Sequence, residues 1–253
     1  MKTSNHLLRR LTAALLAAVL ALSIALPVFA SDDGDTIYIN SVSDLLSLAK
    51  SCAYDQWSVG KTVILQKDLS LEGMLWEPIP SFSGQFKGNG HTISDLTITG
   101  QYSPAGLFGI VEEQGSIESL SVRGIVSVSD AADTTTGGIV GINHGTLINC
   151  QFTGVVTGDS EVGGIVGRNE SEGTIDHSTA RAIVTGKSST GGIAGYNLGA
   201  ITGCTNVGSI NTEYQEASLD TDGFTAKMVD QINNKIAASI SATKSAGSPT
   251  ESS

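Results

Sequence analysis

Gly137-Gly138-Ile139-Val140-Gly141 recurs as Gly163-Gly164-Ile165-Val166-Gly167 and again as Gly191-Gly192-Ile193-Ala194-Gly195, with a looser copy at Gly106-Leu107-Phe108-Gly109. Taking Gly106, Gly138, Gly164 and Gly192 as equivalent, successive copies lie 32, 26 and 28 residues apart. A period of roughly 20–50 residues marks a solenoid, a propeller or an array. The eight motif glycines, Gly106, Gly109, Gly138, Gly141, Gly164, Gly167, Gly192 and Gly195, are therefore read as structural markers of a repeat. Asn143, Asn169 and Asn197 share a position after the motif, as do Gly115, Gly145, Gly173 and Gly199.

Aligning those last four glycines produces columns. Ile117, Leu147, Ile175 and Ile201 form the first, Leu120, Cys150, Ser178 and Cys204 the second. Val122, Phe152, Ala180 and Asn206 form a third. A column of small residues follows (Gly124, Gly154, Ala182, Gly208), then Val126, Val156, Val184 and Ile210. Ile93, Leu96 and Ile98 fit the same frame if one residue is inserted. Short β-branched runs alternating with polar residues carry the strand period. A unit of two or three short strands cannot bury its apolar face alone, but it can when stacked on a copy of itself at about 4.8 Å per rung. Parallel stacking sets like above like, so the columns predict an all-β, right-handed parallel β-helix of about five rungs, roughly 25 Å long. Propeller blades need about 40–45 residues each, more than these units have.

The same glycine motifs resemble the GLUG motif, found in bacterial secreted and surface proteins, including the non-catalytic region of some proteases that cleave immunoglobulin A. Phe82 to Ile93 resembles the opening turn of such β-helices, and the similarity runs from about Ile37 to Asn211. It implies a scaffold shared by the family rather than a shared reaction.

Outside the repeats the chain divides into further parts. Residues 1–30 read as a signal peptide: Lys2, Arg9 and Arg10 precede an apolar run from Leu11 to Leu26, and Val28 and Ala30 place cleavage after Ala30. The apolar run is shorter than the roughly 20 residues a membrane span needs, so the membrane is expected to be met only through the leader. Residues 31–80 read as an N-terminal cap and first partial turn. Ser41 with Asp44 three residues on spells a capping box. Val42, Leu45, Leu46, Ala49, Cys52 and Ala53 then give a helix with one apolar face, laid over the first rung through Leu45, Leu46 and Ala49. Trp57 and Trp76 are expected to pack in this cap rather than to form a carbohydrate platform. The repeats occupy residues 81–211. Residues 212–253 read as an acidic linker, a short C-terminal helix and a Ser/Thr-rich tail expected to be disordered. In that helix Phe224, Met228, Ile232, Ile236 and Ile240 recur every four residues, as a cap on the last rung or a connector. The sequence leaves open whether the chain is a short protein or a piece of a longer one.

The formal charge of −11 becomes about −14 once the three leader cations are removed. That disfavours nucleic acid, which calls for a basic face. No cofactor is implied. The three cysteines are expected to be free thiols. Cys150 and Cys204 stand two rungs apart, roughly 9–10 Å, beyond the reach of a disulfide, and a bridge from Cys52 is the alternative. No His-Glu-x-x-His motif is present, so the zinc chemistry of a metallopeptidase is not expected. Asp176-His177-Ser178 has triad residue types, but neighbours on a strand point to opposite faces and do not converge. A weak Ca²⁺ site is the one metal candidate: Asp130 and Asp133 in one loop with Asp159 and Glu161 in the equivalent loop of the next rung. Lys187 interrupts that series one rung later, and Thr153 separates Arg123 from Arg181. The expected function is therefore a secreted or cell-surface, non-catalytic β-solenoid scaffold or adhesion module. It would act as a monomer on a protein or glycan of a host or cell surface. The alternative is a carbohydrate-active β-helix, lyase-like or hydrolase-like, or a glycan-binding module. Converging carboxylates would favour the enzyme and flat Ser/Thr/Asn ladders the scaffold.

Overall fold

The computed structural model describes residues 35–54, 56–128 and 134–211. The described residues from Ile37 onward belong to one compact unit. The leader with its cleavage site, the Phe224–Ile240 segment, and Asp130 and Asp133 lie outside the described residues.

The described chain is a parallel β-solenoid. Three turns pass through four sheets, and the two before them have strands in sheets 1, 2 and 3 only. Sheet 1 stacks seven strands: Thr36–Ile39, Thr62–Leu65, Gln85–Lys87, Ser116–Glu118, Thr146–Ile148, Thr174–Asp176 and Ala200–Thr202. These bound about six turns, in line with the roughly five rungs the sequence predicts. Thr36–Ile39 and Thr62–Leu65, in the predicted cap and first partial turn, are members of the same stack. Sheet 2 runs through Leu69–Ser70, Thr92–Gly100, Ser121–Val128, Gln151–Thr157 and Thr179–Thr185, ending on Thr205–Asn206 and Ser209–Ile210. Sheet 3 holds Ile79–Phe82, Phe108–Val111, Val140–Asn143, Val166–Asn169 and Ala194–Asn197. Sheet 4 is shorter, with Thr135–Gly137, Glu161–Gly163 and Ser189–Gly191.

The columns are the observed register. Leu147 pairs with Ile117 and Ile175, and Ile175 with Ile201. Phe152 lies between Val122 and Ala180, and Val156 between Val126 and Val184. In the degenerate turn the register slips between Ile93 and Leu96, where one extra residue bulges and Asp95 takes φ 60°. From the Gln85–Lys87 rung onward sheet 1 meets sheet 2 at a left-handed corner: Asn89, Ser119, Asn149 and His177 have φ of 52°, 52°, 53° and 45°. Gly203 closes the series at φ 63°.

The motif glycines are explained by contact. A Cβ on Gly141 would sit 2.5 Å from Cβ of Pro104, and one on Gly167 would sit 2.6 Å from the Thr136 nitrogen. These glycines let sheet 3 pass against the preceding sheet 4 strand. A Cβ on Gly137, Gly163 or Gly191 would run into the carbonyl of Val140, Val166 or Ala194, the residue three further along the same tight turn.

Inside, apolar side chains fill the stack. Phe82, Phe86 and Phe108 meet with ring centroids 5.4 to 6.3 Å apart and lie fully buried. Each such burial is worth about 1.5–3 kcal/mol. Trp76 is buried and donates its indole N–H to the Leu107 carbonyl at 3.1 Å, and Trp57 is half-buried with the Lys61 ammonium 5.4 Å from its ring. The N-terminal end is covered by helix α1, Val42–Ser51. Ser41 Oγ accepts from the Asp44 N–H at 3.2 Å, while the Asp44 carboxylate accepts from the Asn40 N–H at 2.9 Å. The helix buries Leu45, Leu48 and Cys52, with Val42 and Ala49 at the margin, and Leu46 faces solvent. The predicted stripe thus rotates by a fraction of a turn. The i, i+3, i+7 set 45–48–52 faces the core, and Leu46, 100° from Leu45, does not.

Candidate functional site

A polar column runs along sheet 3, buried at Asn143 and Asn169 and exposed at Asn197. Asn143, Asn169 and Asn197 occupy one register position. The Asn143 amide donates to the Asn169 side-chain oxygen at 2.7 Å, and Asn169 donates likewise to Asn197 at 2.8 Å. Each amide also donates to the carbonyl of a following glycine: Gly145 at 3.2 Å, Gly173 at 3.1 Å and Gly199 at 3.0 Å. The ladder starts where the previous rung has Val111, and there the side-chain oxygen of Asn143 is buried without a partner. It serves the turn between sheets 3 and 1, and its signal in the sequence is the shared Asn position.

The outer surface is organised the same way. On sheet 2, Ser121, Gln151, Thr179 and Thr205 form one outward column, and Ser127, Thr157 and Thr185 another. Between them run Arg123, Thr153 and Arg181, then Ile125, Val155 and Ile183. Rungs about 4.8 Å apart make this a flat face of hydroxyl and aliphatic rows.

Of the four Ca²⁺ candidates, Asp159 and Glu161 are placed, and neighbouring cations neutralise both. Asp159 Oδ1 lies 2.7 Å from Lys187 Nζ, so the lysine that interrupts the acidic series in sequence pairs with it in space. Glu161 accepts from Arg168 Nη1 at 2.8 Å and from the Thr135 hydroxyl at 3.3 Å. Arg168 also donates Nε to Glu170 at 2.6 Å and stacks 4.8 Å from the ring of Tyr196 in the next rung. Its pKa is raised, chiefly by the Glu170 hydrogen bond. This cluster was not legible from spacing, because its members come from sheets 3 and 4 of three successive rungs. Among the described residues, no group of three or more His, Cys, Asp and Glu side chains is placed to hold a metal ion.

The histidines sit apart. His91 Nδ1 lies 3.1 Å from Asp68, whose carboxyl is held low by the Thr92 N–H and by His91. His177 Nδ1 lies 2.8 Å from Asp176, yet Ser178 is turned into the core, where its hydroxyl donates to the Asp176 carbonyl and accepts from the Cys150 N–H. The three do not converge. The separating feature is the left-handed corner at His177 rather than strand alternation.

All three cysteines are free thiols. Burial pushes Cys52 up to about 11 and Cys150 up to about 12, and raises Cys204 as well. Such thiols are poor nucleophiles at neutral pH. Among the described residues no helix is long and apolar enough to cross a membrane.

Comparison with known proteins agrees with the repeat. A family model described as "The GLUG motif" matches residues 158–185. Over 155 residues, 56% of this chain, the sequence is 32% identical to halomucin of Haloquadratum walsbyi. Over 137 residues, 39% of this chain, it is 30% identical to a protein of Evansella cellulosilytica named as a candidate Gly-rich membrane protein. The chain spans 2% of the first relative's length and 16% of the second's. Among solved structures, a candidate immunoglobulin A1 protease from Bacteroides ovatus aligns at 15% identity and TM-score 0.40, covering 72% of this chain and 79% of that one.

Proposed function

We propose that this GLUG-bearing β-solenoid is an exported, non-catalytic module that presents a flat face to a protein or glycan at a cell surface. One observation carries the reading. Sheet 2 displays outward columns of Ser, Thr and Gln side chains with Arg123, Thr153 and Arg181 between them, beside half-buried Val155 and Ile183. A surface of that kind binds by area and many weak hydrogen bonds, as flat polysaccharide or protein faces require. Among the described acidic candidates, Asp159 is paired with Lys187, and Glu161 shares Arg168 with Glu170, which supports a structural use of these charges. The basic and then apolar pattern of residues 1–30 supports export, and one relative's name places that relative at a membrane.

The test is direct. Immobilised mature protein is exposed to cell-wall polysaccharides and host surface proteins, and both retention and chain cleavage are followed. Retention without new reducing ends or unsaturated sugars is expected, and Thr157→Glu with Thr185→Glu should weaken it. Release of such ends by the purified protein would replace this reading with a carbohydrate-active one.

A further inference from the structure

The sheet 2 face runs against the charge of the whole chain. The sequence holds 25 Asp and Glu against 14 Lys and Arg, yet the strands Ser121–Val128, Gln151–Thr157 and Thr179–Thr185 contain two arginines and no carboxylate. Arg123 and Arg181 are exposed and share one outward column, with half-buried Thr153 between them. Two rung spacings put the two backbone positions roughly 10 Å apart. Arg168, on sheet 3, is by contrast held between Glu161 and Glu170. Arg123 lies near Asp68, whose carboxyl is held low by the Thr92 N–H, then by His91, and in smaller part by Arg123. In the preceding strand the Asp95 carboxylate accepts from the hydroxyls of Ser70 and Ser94, at 2.7 and 2.9 Å.

An extended, diequatorially linked chain of pyranose rings advances by close to one rung spacing per sugar. Laid along the solenoid axis, across the strands, it brings every second sugar onto an arginine. Granted the flat face proposed above, we infer that sheet 2 takes an acidic polysaccharide with one carboxylate per disaccharide, successive carboxylates meeting Arg123 and Arg181 and the intervening neutral sugar lying over Thr153. A guanidinium fork matches a carboxylate in two parallel hydrogen bonds. On one side of the arginine column Ser121, Gln151 and Thr179 offer hydrogen bonds to sugar hydroxyls, and on the other Val155 and Ile183 meet the C–H edges of the rings. A more densely charged polymer fits worse, because a carboxylate on the middle sugar would face Thr153 and no cation. Salt screens charges beyond about 8 Å at physiological ionic strength, so the acidic remainder of the chain acts weakly here while the arginines act on what touches them.

Titration calorimetry on the full mature chain compares three probes. One is a hyaluronan octasaccharide, which alternates glucuronate with N-acetylglucosamine. The second is the same octasaccharide with its carboxyls methyl-esterified, and the third an oligomannuronate of equal length, charged on every sugar. The first is expected to bind about tenfold tighter than either of the others. Arg181→Gln should weaken it about tenfold, Arg123→Gln by less because Asp68 shares that charge, and neither should alter the weaker binding of the ester. Thr153→Arg should turn the preference toward the oligomannuronate. Melting temperatures equal to the parent's show that the variants are folded. Equal affinity for acid and ester, or indifference to both arginine substitutions, would overturn the proposal and leave the flat-face reading standing. Retention of a surface protein but of no oligosaccharide would do the same, and retention of nothing would overturn both.

Discussion

The two ends of the described solenoid are finished differently. At the N-terminal end, α1 lays Leu45, Leu48 and Cys52 over the stack, and the sheet 1 residues Ile39 and Val63 beneath are fully buried. At the C-terminal end the equivalent column finishes on Ile201, which no described residue covers. The difference shows that the repeat itself supplies no stopping signal: a rung buries its neighbour but never its own outer side. Termination has to be added from non-repeating sequence, and the N-terminal addition is recognisable because it is capped. Ser41 and Asp44 fix where α1 begins, and the turn after Ser51 fixes where it stops.

The contrast between a covered and an uncovered member of one column gives the largest expected effect. Ile175→Asp places an unpaired charge at a dry position and should cost more than about 3 kcal/mol, enough to prevent folding. Ile201→Asp, one rung further on, should leave residues 62–185 folded. Thermal melts of the two proteins check this, and equal loss would mean that the last rung is as integral as the others.

Phe152 tests whether the core is as tightly filled mid-stack as the register implies. It is buried between the smaller Val122 and Ala180, so Phe152→Ala should leave a cavity costing about 3–5 kcal/mol. Thr153→Ala, on the outer face, should cost under about 0.5 kcal/mol. Denaturant midpoints separate the two, and similar shifts would reverse the inward and outward assignment.

The asparagine ladder should be less sensitive, and in an instructive way. Asn169→Val strands donors and acceptors on Asn143, Asn197 and Gly173, for an expected loss of about 1–3 kcal/mol. Replacing Asn143, Asn169 and Asn197 together by Val repeats what Val111 already does one rung earlier. It removes partners in pairs and should cost less per residue than the single change. A triple variant losing three times the single value would show that the ladder's turn carbonyls, not its amide chain, carry the stabilisation.

The smallest effect is at the helical cap. The Asn40 N–H, and then Ser41, hold the Asp44 carboxyl below its ordinary value. A carboxylate lowered in the folded state stabilises fully above its unfolded pKa of about 4, and that contribution fades as pH falls through the folded value. Asp44→Asn should therefore flatten the dependence of melting temperature on pH below about 4 and leave it unchanged near neutrality.

What was legible in the sequence follows from periodicity. Every column from Ile117 to Ile210 could be read because parallel stacking converts a fixed sequence offset into a spatial neighbour, and even the one-residue insertion at Asp95 shows as a break in that offset. The features that were missed are those where period gives no information. The choice of Leu48 over Leu46 depends on how α1 rolls on the first rung. The Glu161–Arg168–Tyr196 cluster depends on how far side chains reach between sheets. Thr36–Ile39 and Thr62–Leu65 fall in the cap and first partial turn that the sequence suggests, but their register in sheet 1 could not be read because those rungs lack the glycine motif.

The central claim is that the body is one continuous stack of interchangeable rungs held in register by the glycine motif. Deleting residues 138–163, which brings Gly164 into the place of Gly138, tests it most directly. The shortened chain is expected to show the parent's β-sheet circular dichroism and a single cooperative melt, whereas deletion of residues 138–150, half a rung, should abolish both. If the whole-rung deletion unfolds as completely as the half-rung deletion, the rungs are not equivalent and the stack is not what holds the protein together.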